Sequence, residues 1–189
     1  MAEQASADAR RGLVSRLVGR LVGRFGRLLR HRWWDERDTR RALGPQALSR
    51  IEQRIADSER RHAGEIRVCV EAGLPLSYLW RDASVRERAV SLFGKLRVWD
   101  TEANNGVLIY LLLAEHRIEI VADRGIARHV GPDHWQHIVS SMGAEFRAGR
   151  FEPGLLRAIE AVEALMLKHF PQTEGQANPD ELPNRPYVG

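Results

Sequence analysis

The chain has 189 residues, of which 43% are hydrophobic and 29% charged. This length and composition are typical of a soluble globular protein of about one domain with extensions. The only cysteine is Cys69, so a disulfide framework is excluded and a reducing compartment is expected. The longest apolar run, GVLIYLLLA at 106–114, is far shorter than the ~18 residues that cross a bilayer.

The net charge of +4 is unevenly distributed along the chain. Residues 1–34 contain eight arginines against Glu3 and Asp8, so this segment carries +6 and the remaining residues carry −2. A mildly acidic domain does not offer a general nucleic-acid-binding face. We therefore expect no nucleic-acid partner.

The basic segment at residues 10–34 contains the short tandem LVGRLVGR. At about 100° per residue, its arginines fall on one side of a helix and its apolar residues on the other. Gly19, Gly23 and Gly26, each less favourable than alanine by about 1 kcal/mol, predict a helix that forms only on a surface. One hypothesis is an anionic membrane, contacted by Arg16, Arg20, Arg24, Arg27, Phe25, Trp33 and Trp34. The alternative is that the apolar side packs on this protein's own domain or on a partner, such as a membrane-associated protein.

This arm is not typical of a secretory signal, because arginine interrupts its apolar run every third or fourth position. Its arginine-rich composition leaves an organelle transit peptide open. We expect a cytoplasmic protein that is peripheral on the inner face of a membrane.

The first predicted helix of the domain begins at Gly44-Pro45. GEIRVCVE at 64–71 alternates apolar and polar residues, which predicts a strand. Residues 72–81 are typical of a loop. A second helix follows from Ser84, which has the capping-box spacing with Glu87.

Asn104-Asn105-Gly106 predicts a turn, and the apolar run at 107–113 predicts a central strand buried on both faces. Residues 118–122 alternate after a tight connection and predict an antiparallel partner in a hairpin. Two further helices are expected to begin near Pro132 and near Pro153.

Together these elements predict an α/β fold: a layered sandwich with a small mixed central sheet and helices packed on its faces. The sheet combines a strand–helix–strand unit with the antiparallel hairpin. We place the domain at 44–171, between a basic amphipathic arm at 1–43 and a flexible tail at 172–189.

Hard oxygen ligands are concentrated around the hairpin, at Asp100, Glu102, Asn104, Asn105 and Asp123. The start of one hairpin strand lies beside the end of the other, so these side chains are expected to meet at one end of the sheet. Carboxylate and amide oxygens suit Ca²⁺ or Mg²⁺, and Glu65 or Glu71 on the neighbouring strand is a further donor. The alternative is loop chemistry alone, in which Asp100 caps, Asn105-Gly106 turns and Asp123 pairs with an arginine.

The histidine pair and the cysteine are more simply interpreted as structural residues than as metal ligands or nucleophiles. His134-x-x-His137 lacks the adjacent glutamate of a zinc-protease helix, and a solvated helix start is favoured. Cys69 lies in mid-strand and is expected to be a packed thiol. There is no glycine-rich nucleotide loop and no GxSxG elbow.

Four blocks of this sequence match the motifs of a known family in order and spacing: AGEIRV at 63–68, WDTEANNGVLIY at 99–110, ADRGI at 122–126 and FRAGRFEPGL at 146–155. They resemble the TPM domain, the family of thylakoid lumen and photosystem II repair proteins and their bacterial relatives. The resemblance covers roughly residues 45–171.

The resemblance implies an α/β sandwich and an acidic cluster at one end of the sheet, with calcium binding and phosphatase activity described for some members. It strengthens Asp100, Asn104, Asn105 and Asp123 as metal ligands. Many relatives carry a signal peptide and a carboxy-terminal membrane helix. We expect this chain to be a short form in which the basic arm replaces the anchor.

The leading hypothesis is a TPM-domain interaction or maintenance module of little or no catalytic activity, located at a membrane surface. The alternative is a divalent-metal-dependent phosphomonoesterase in which Asp100 and Asp123 hold the metal and Arg124 binds the phosphate. No strong general base is visible in the sequence, so no catalytic residue is assigned.

Overall fold

A computed structural model describes residues 23, 26–34, 36–172 and 179–189. A first helix, α1, covers residues 26–33. The other helices are α2 (Glu36–Ala42), α3 (Pro45–Glu59), α4 (Leu76–Trp80), α5 (Val85–Lys95), α6 (Arg124–Ala127), α7 (Pro132–Arg147) and α8 (Phe151–His169). The strands are β1 (Glu65–Glu71), β2 (Gly106–Leu112), β3 (Arg117–Ala122) and β4 (Tyr187–Val188).

The four strands form one mixed sheet in the order β3-β2-β1-β4. β1 and β2 are parallel, with Glu65 opposite Gly106, whereas β2 and β3 form an antiparallel hairpin. The strand–helix–strand unit and the hairpin are confirmed. β1 and β2 begin, and β3 finishes, at the same end of the sheet, which is called the amino end below; the opposite end is called the carboxyl end.

Two apolar clusters cover the two faces of the sheet. One contains Ile109 and Leu111 and includes residues of α3, α7 and α8. The other contains Leu108 and Tyr110 and includes residues of α5. The continuous apolar run of β2 therefore supplies both clusters, as a strand covered on both faces requires. The layered α/β sandwich predicted from the sequence is confirmed.

The Ser84–Glu87 capping box is present at the start of α5, as predicted. The segment at 72–81, predicted as a loop, contains the short helix α4. Cys69 is fully buried, as expected of a packed thiol, and burial raises the pKa of its thiol far above the usual range.

The carboxy-terminal segment was predicted to be loose, whereas its residues 179–189 lie along β1. Leu182 is buried, Arg67 donates hydrogen bonds to the carbonyls of Pro183 and Arg185, and β4 pairs in parallel with Cys69 and Val70. The outer edge of β1 would otherwise be unpaired, and backbone hydrogen bonds are what this segment supplies. Such pairing depends on main-chain groups, which side-chain patterns do not reveal.

The described part of the arm packs on the carboxyl end of the sheet. His31 Nδ1 accepts a hydrogen bond from Leu74 N at 2.9 Å, and its Nε2 lies 2.9 Å from Glu115 Oε1. Arg27 pairs with Glu115 at 2.7 Å and with Asp82 at 3.1 Å. The predicted membrane contacts at Arg16, Arg20, Arg24 and Phe25 lie outside the described residues. No helix in the described ranges is long and apolar enough to span a membrane.

Candidate cation site

The loop before β2 and the turn after β3 meet at the amino end of the sheet, as the hairpin geometry predicts. Asp123 N donates to Gly106 O at 2.9 Å, and Gly125 N donates to Asn104 O at 2.8 Å. A Cβ at position 125 would lie 2.4 Å from that same Asn104 oxygen. Glycine at 125 is therefore what allows the two loops to approach.

Two of the predicted ligands are buried where these loops meet. Asp123 caps α6, and its Oδ1 accepts from Arg124 N at 2.7 Å. Asn105 Nδ2 donates to Ala63 O at 2.6 Å. The remaining side-chain oxygens, Asp123 Oδ2 and Asn105 Oδ1, are buried and have no hydrogen-bond partner among the described residues. We call this pair of oxygens the hairpin mouth.

The other predicted site residues are exposed. Asp100 lies 3.5 Å from Arg97 in an ion pair, and Asn104 has a left-handed backbone with φ of 53°. Arg124, the predicted phosphate contact, is exposed at the start of α6. Loop chemistry accounts for Asp100 and Asn104, whereas Asn105 and Asp123 retain unused acceptors.

A different set of acidic residues converges on the other side of the amino end. Glu59, Glu65 and Asp180 each place one carboxylate oxygen within 4.8 Å of the others. Among the described residues, this is the only group of three or more His, Cys, Asp or Glu side chains with that geometry. We call it the acidic cluster, and it could hold a metal ion.

The acidic cluster is built from three elements. Glu59 is the last residue of α3, and its Oε1 accepts from Ile66 N at 2.9 Å. Glu65 is the first residue of β1, and its Oε2 accepts from Leu182 N at 3.2 Å. Asp180 approaches from the carboxy-terminal segment. Backbone N–H groups therefore hold the two glutamates in place from both sides.

The cluster opens into a cavity of about 480 Å³, which is also lined by Arg60 and Asn184. Asn184 Oδ1 is buried and has no hydrogen-bond partner within the described residues. Carboxylate and amide oxygens are the ligands of a hard cation. The donor set and this unused oxygen therefore fit such an ion.

Burial raises the pKa of Glu59 to about 8 and the pKa of Glu65 to about 7. Repulsion from nearby carboxylates adds to the effect, since Glu65 and Asp180 raise the pKa of Glu59, and Asp180 and Glu181 raise that of Glu65. A cation at this place would replace the protons that these groups retain near neutral pH.

The lack of cationic partners distinguishes this end of the protein. Five carboxylates are buried in the described part of the chain: Glu59, Glu65, Glu71, Asp123 and Glu163. Glu71 is paired with Arg88, and Glu163 with Arg54 and Arg61. The other three have no ion pair among the described residues, and all three lie at the amino end of the sheet.

Sequence reasoning had named Glu65 as a possible donor but missed Glu59 and Asp180. Glu59 follows Ile51 and Ile55 at intervals of four residues, so a carboxylate on the buried stripe of α3 was a usable signal. Asp180 had no such signal, because its position depends on the pairing of the carboxy-terminal segment with β1.

The fold and this end of the sheet define a small α/β domain with buried carboxylates that have no cationic partner among the described residues. The TPM domain model matches residues 37–165, and the chain belongs to the TPM domain family. No curated protein matches the chain.

Two solved structures are similar. The BA42 protein of the psychrophilic bacterium Bizionia argentinensis is 31% identical with a TM-score of 0.67, over 78% of this chain and 95% of that one. The N-terminal domain of a P. gingivalis protein is 20% identical with a TM-score of 0.54, over 70% and 83% of the two chains. The second similarity shows the fold alone.

Proposed function

We propose that this chain is a TPM-domain interaction module that binds a divalent cation, Ca²⁺ in preference to Mg²⁺, at the amino end of its sheet. The observation that carries the proposal is the acidic cluster, in which Glu59 and Glu65 are buried without a cationic partner and converge with Asp180. Burying an unpaired carboxylate is strongly unfavourable, and a bound cation removes that penalty. Ca²⁺ is favoured because it accepts a flexible set of oxygen ligands, whereas Mg²⁺ demands octahedral geometry.

The acidic cluster is the preferred position, since it offers three carboxylates and the amide oxygen of Asn184. Glu59 and Glu65 belong to the domain, whereas Asp180 and Asn184 belong to the carboxy-terminal segment. A cation held by both sets joins the segment to the edge of β1. Loss of the cation leaves carboxylates that repel one another and weakens that attachment. The exposed edge of β1 is then available to a partner strand.

The test is chemical unfolding of the full chain at pH 8 with saturating CaCl₂, with MgCl₂ and without added metal. Binding to the native state alone stabilises by RT ln(1 + [L]/Kd), about 2.7 kcal/mol at a hundredfold excess over Kd. We expect Glu65→Gln and Asp180→Asn to lose most of the Ca²⁺ effect. Glu160→Gln, an exposed change on α8, is the matched control and should retain it.

An unfolding midpoint that does not respond to either cation would contradict the cation proposal. If Asp123→Asn abolishes the response and Asp180→Asn does not, the ion lies at the hairpin mouth. The proposed link to the carboxy-terminal segment would then be wrong.

We also propose that the module binds an anionic membrane surface, and the support is an apolar surface at the carboxyl end. Large apolar side chains are exposed on two neighbouring helices, at Leu29 and Trp33 of α1 and Leu76 and Trp80 of α4. Trp33 alone is 82% exposed. Arg30 and Arg32 of α1 are exposed as well, so basic and apolar groups lie together, as in interfacial helices. Arg27 and Trp34 face the domain instead: Arg27 is ion-paired, and Trp34 packs against the core.

Cosedimentation of the full chain with vesicles tests this surface. Vesicles of equal phosphatidylserine and phosphatidylcholine should retain the protein, and pure phosphatidylcholine should retain much less. Trp33→Ala should weaken retention, whereas Trp99→Ala, a change of another exposed tryptophan, should not. Equal retention of the two variants would contradict the assignment to this surface.

A phosphatase remains the second candidate function, because a divalent cation in the acidic cluster would polarise a phosphoryl oxygen and activate a water molecule. The family model also carries the word phosphatase in its name. Hydrolysis of p-nitrophenyl phosphate that depends on Ca²⁺ or Mg²⁺ and disappears in Glu65→Gln would support it. If a cation stabilises the protein but no hydrolysis is detected, the phosphatase function is wrong and the interaction module is the function that stands.

A further inference from the structure

β3 is an edge strand, and no strand in the described part of the chain pairs with its outer edge. Asp123 N donates to Gly106 O, so the backbone groups of alternate residues counted back from Asp123 face β2. Those of Ile118, Ile120 and Ala122 therefore point away from the sheet. The outward carbonyl of Ile120 accepts a hydrogen bond from the Arg86 side chain. None of the three outward N–H groups donates to another described residue.

A cavity of about 660 Å³ runs along this open edge, between α5 and α7. On the α7 side it is lined by Trp135 and Val139, and on the α5 side by Arg86, Arg117 and Glu119. The indole N–H of Trp135 is buried without a hydrogen-bond partner among the described residues. We call this cavity the edge groove.

The two sides of the edge groove differ in chemistry. Ile120 and Ala122 point their side chains to the same face as Trp135 and Val139, which makes that side apolar. The opposite side carries the guanidinium groups of Arg86 and Arg117 and the carboxylate of Glu119. The carboxylate lies 3.0 Å from Arg117 and 3.8 Å from Arg86. The outward N–H groups of β3 lie between the two sides.

We propose that the edge groove binds an extended peptide strand of a partner protein in which acidic and apolar residues alternate. Successive side chains of a strand point to opposite faces, so such a peptide directs its apolar residues to α7 and its carboxylates to the arginines. Its backbone carbonyls accept from the outward N–H groups of β3, in the manner of β-strand addition. The excess of guanidinium over carboxylate groups selects an acidic peptide over a basic one.

Arg86 has a definite role in this arrangement. It covers the Ile120 carbonyl in the free protein, which protects the edge from unspecific pairing. A docked strand donates its own N–H to that carbonyl and releases Arg86 to a peptide carboxylate.

The probe is the capped hexapeptide Glu-Val-Glu-Val-Glu-Val, with Lys-Val-Lys-Val-Lys-Val as its control. Titration into the ¹⁵N-labelled full chain is followed by NMR, which reports on the amides of Ile118, Ile120 and Ala122 and on the indole of Trp135. We expect these signals to shift together with the acidic peptide, and the lysine peptide to bind at least about tenfold more weakly.

Three variants separate charge from backbone. Arg86→Ala and Arg117→Ala together should weaken binding of the acidic peptide by about tenfold, at a few-fold for each partly exposed ion pair. Arg97→Ala is the control, because Arg97 is exposed just beyond the far end of α5. It should change the affinity for the acidic peptide less than twofold. Ala122→Pro removes one outward N–H at an edge position that tolerates proline, and it should weaken the binding of both peptides.

Several outcomes would overturn the proposal: equal binding of the two peptides, unchanged affinity in the double arginine variant, or shifts confined to other strands. Pairing with a second copy is the competing arrangement, because β3 itself alternates charged and apolar residues at Arg117–Ile120. Analytical ultracentrifugation measures such dimerisation. If the chain dimerises with rising concentration, loses this in Ala122→Pro and binds neither peptide, the strand that occupies the edge groove belongs to a second copy and the peptide proposal is wrong.

Discussion

The two ends of the β1–β2 pair stabilise their carboxylates in opposite ways. At the carboxyl end, Glu71 is paired with Arg88, and Glu115 is held by Arg27 and His31. At the amino end, Glu59 and Glu65 have backbone N–H partners but no cation. Glutamates thus have cationic partners at one end and only backbone donors at the other.

The pKa values express this difference. Burial disfavours ionisation of Glu115, yet hydrogen bonds and charges from His31 and Arg27 outweigh it and lower its pKa to about 2. With no such cation, burial raises the pKa of Glu59 to about 8. One end is complete as the chain stands, whereas the other lacks a positive charge, and this is why we place an exogenous cation there.

Breaking the complete end should have the largest effect. Arg88→Met leaves Glu71 buried without its cation, and we expect a loss of roughly 3–5 kcal/mol in the free energy of unfolding. Urea denaturation measures the change. The double variant with Glu71→Gln should recover much of the loss, because no unpaired charge remains. A loss below about 1 kcal/mol in the single variant would mean that the pair does not balance a buried charge.

The amino end should control the response of stability to alkaline pH. The pKa values of Glu59 and Glu65 are raised by folding, so their contribution is fully present below about pH 4.5 and is lost as pH rises through 7 to 8. In metal-free buffer, the free energy of unfolding should fall by a few kcal/mol between pH 5 and pH 8, at about 1.4 kcal/mol per pKa unit. Urea unfolding at several pH values measures it.

The double variant Glu59→Gln/Glu65→Gln should flatten that slope, since glutamine retains the acceptor for each backbone N–H. Saturating Ca²⁺ should flatten it as well in the natural chain, because the cation is most effective when the protons are gone. A slope that persists in the double variant would assign the alkaline loss to other groups.

The sequence predicts the sheet, its layers and part of the amino end, but only where local residue patterns determine the structure. The alternation in β1, the apolar run of β2 and the Ser84–Glu87 capping box predict the layers and the sheet. Asn105 and Asp123 were found because hairpin geometry brings the ends of neighbouring strands together. Asp180 was not found, since residues 179–189 are positioned by backbone pairing and by Arg67 rather than by a periodic pattern.

The carboxyl end should control the response to acid. The pKa of Glu115 is lowered by folding, so its contribution is present above about pH 4.5 and is lost as pH falls toward 2. We expect Glu115→Gln to destabilise by on the order of 1–3 kcal/mol at pH 7 and by progressively less below pH 4. Urea unfolding at pH 7 and pH 3 measures the difference. An equal loss at both pH values would show that shape, and not charge, holds α1 on the domain.

The smallest effect is expected at the hairpin mouth and sharpens the comparison within the amino end. Asp123→Asn keeps the cap on α6 and replaces the unpartnered Oδ2 with an amide group, so its free energy of unfolding should change by less than about 1 kcal/mol in metal-free buffer. Asp123→Ala loses the cap and should be less stable by about 1 kcal/mol. Both values come from urea unfolding. With Ca²⁺ added, Asp123→Asn should be stabilised as much as the natural chain, because the proposed ion lies at Glu59, Glu65 and Asp180. A response reduced in Asp123→Asn but intact in Glu65→Gln would place the missing positive charge between β2 and β3 instead.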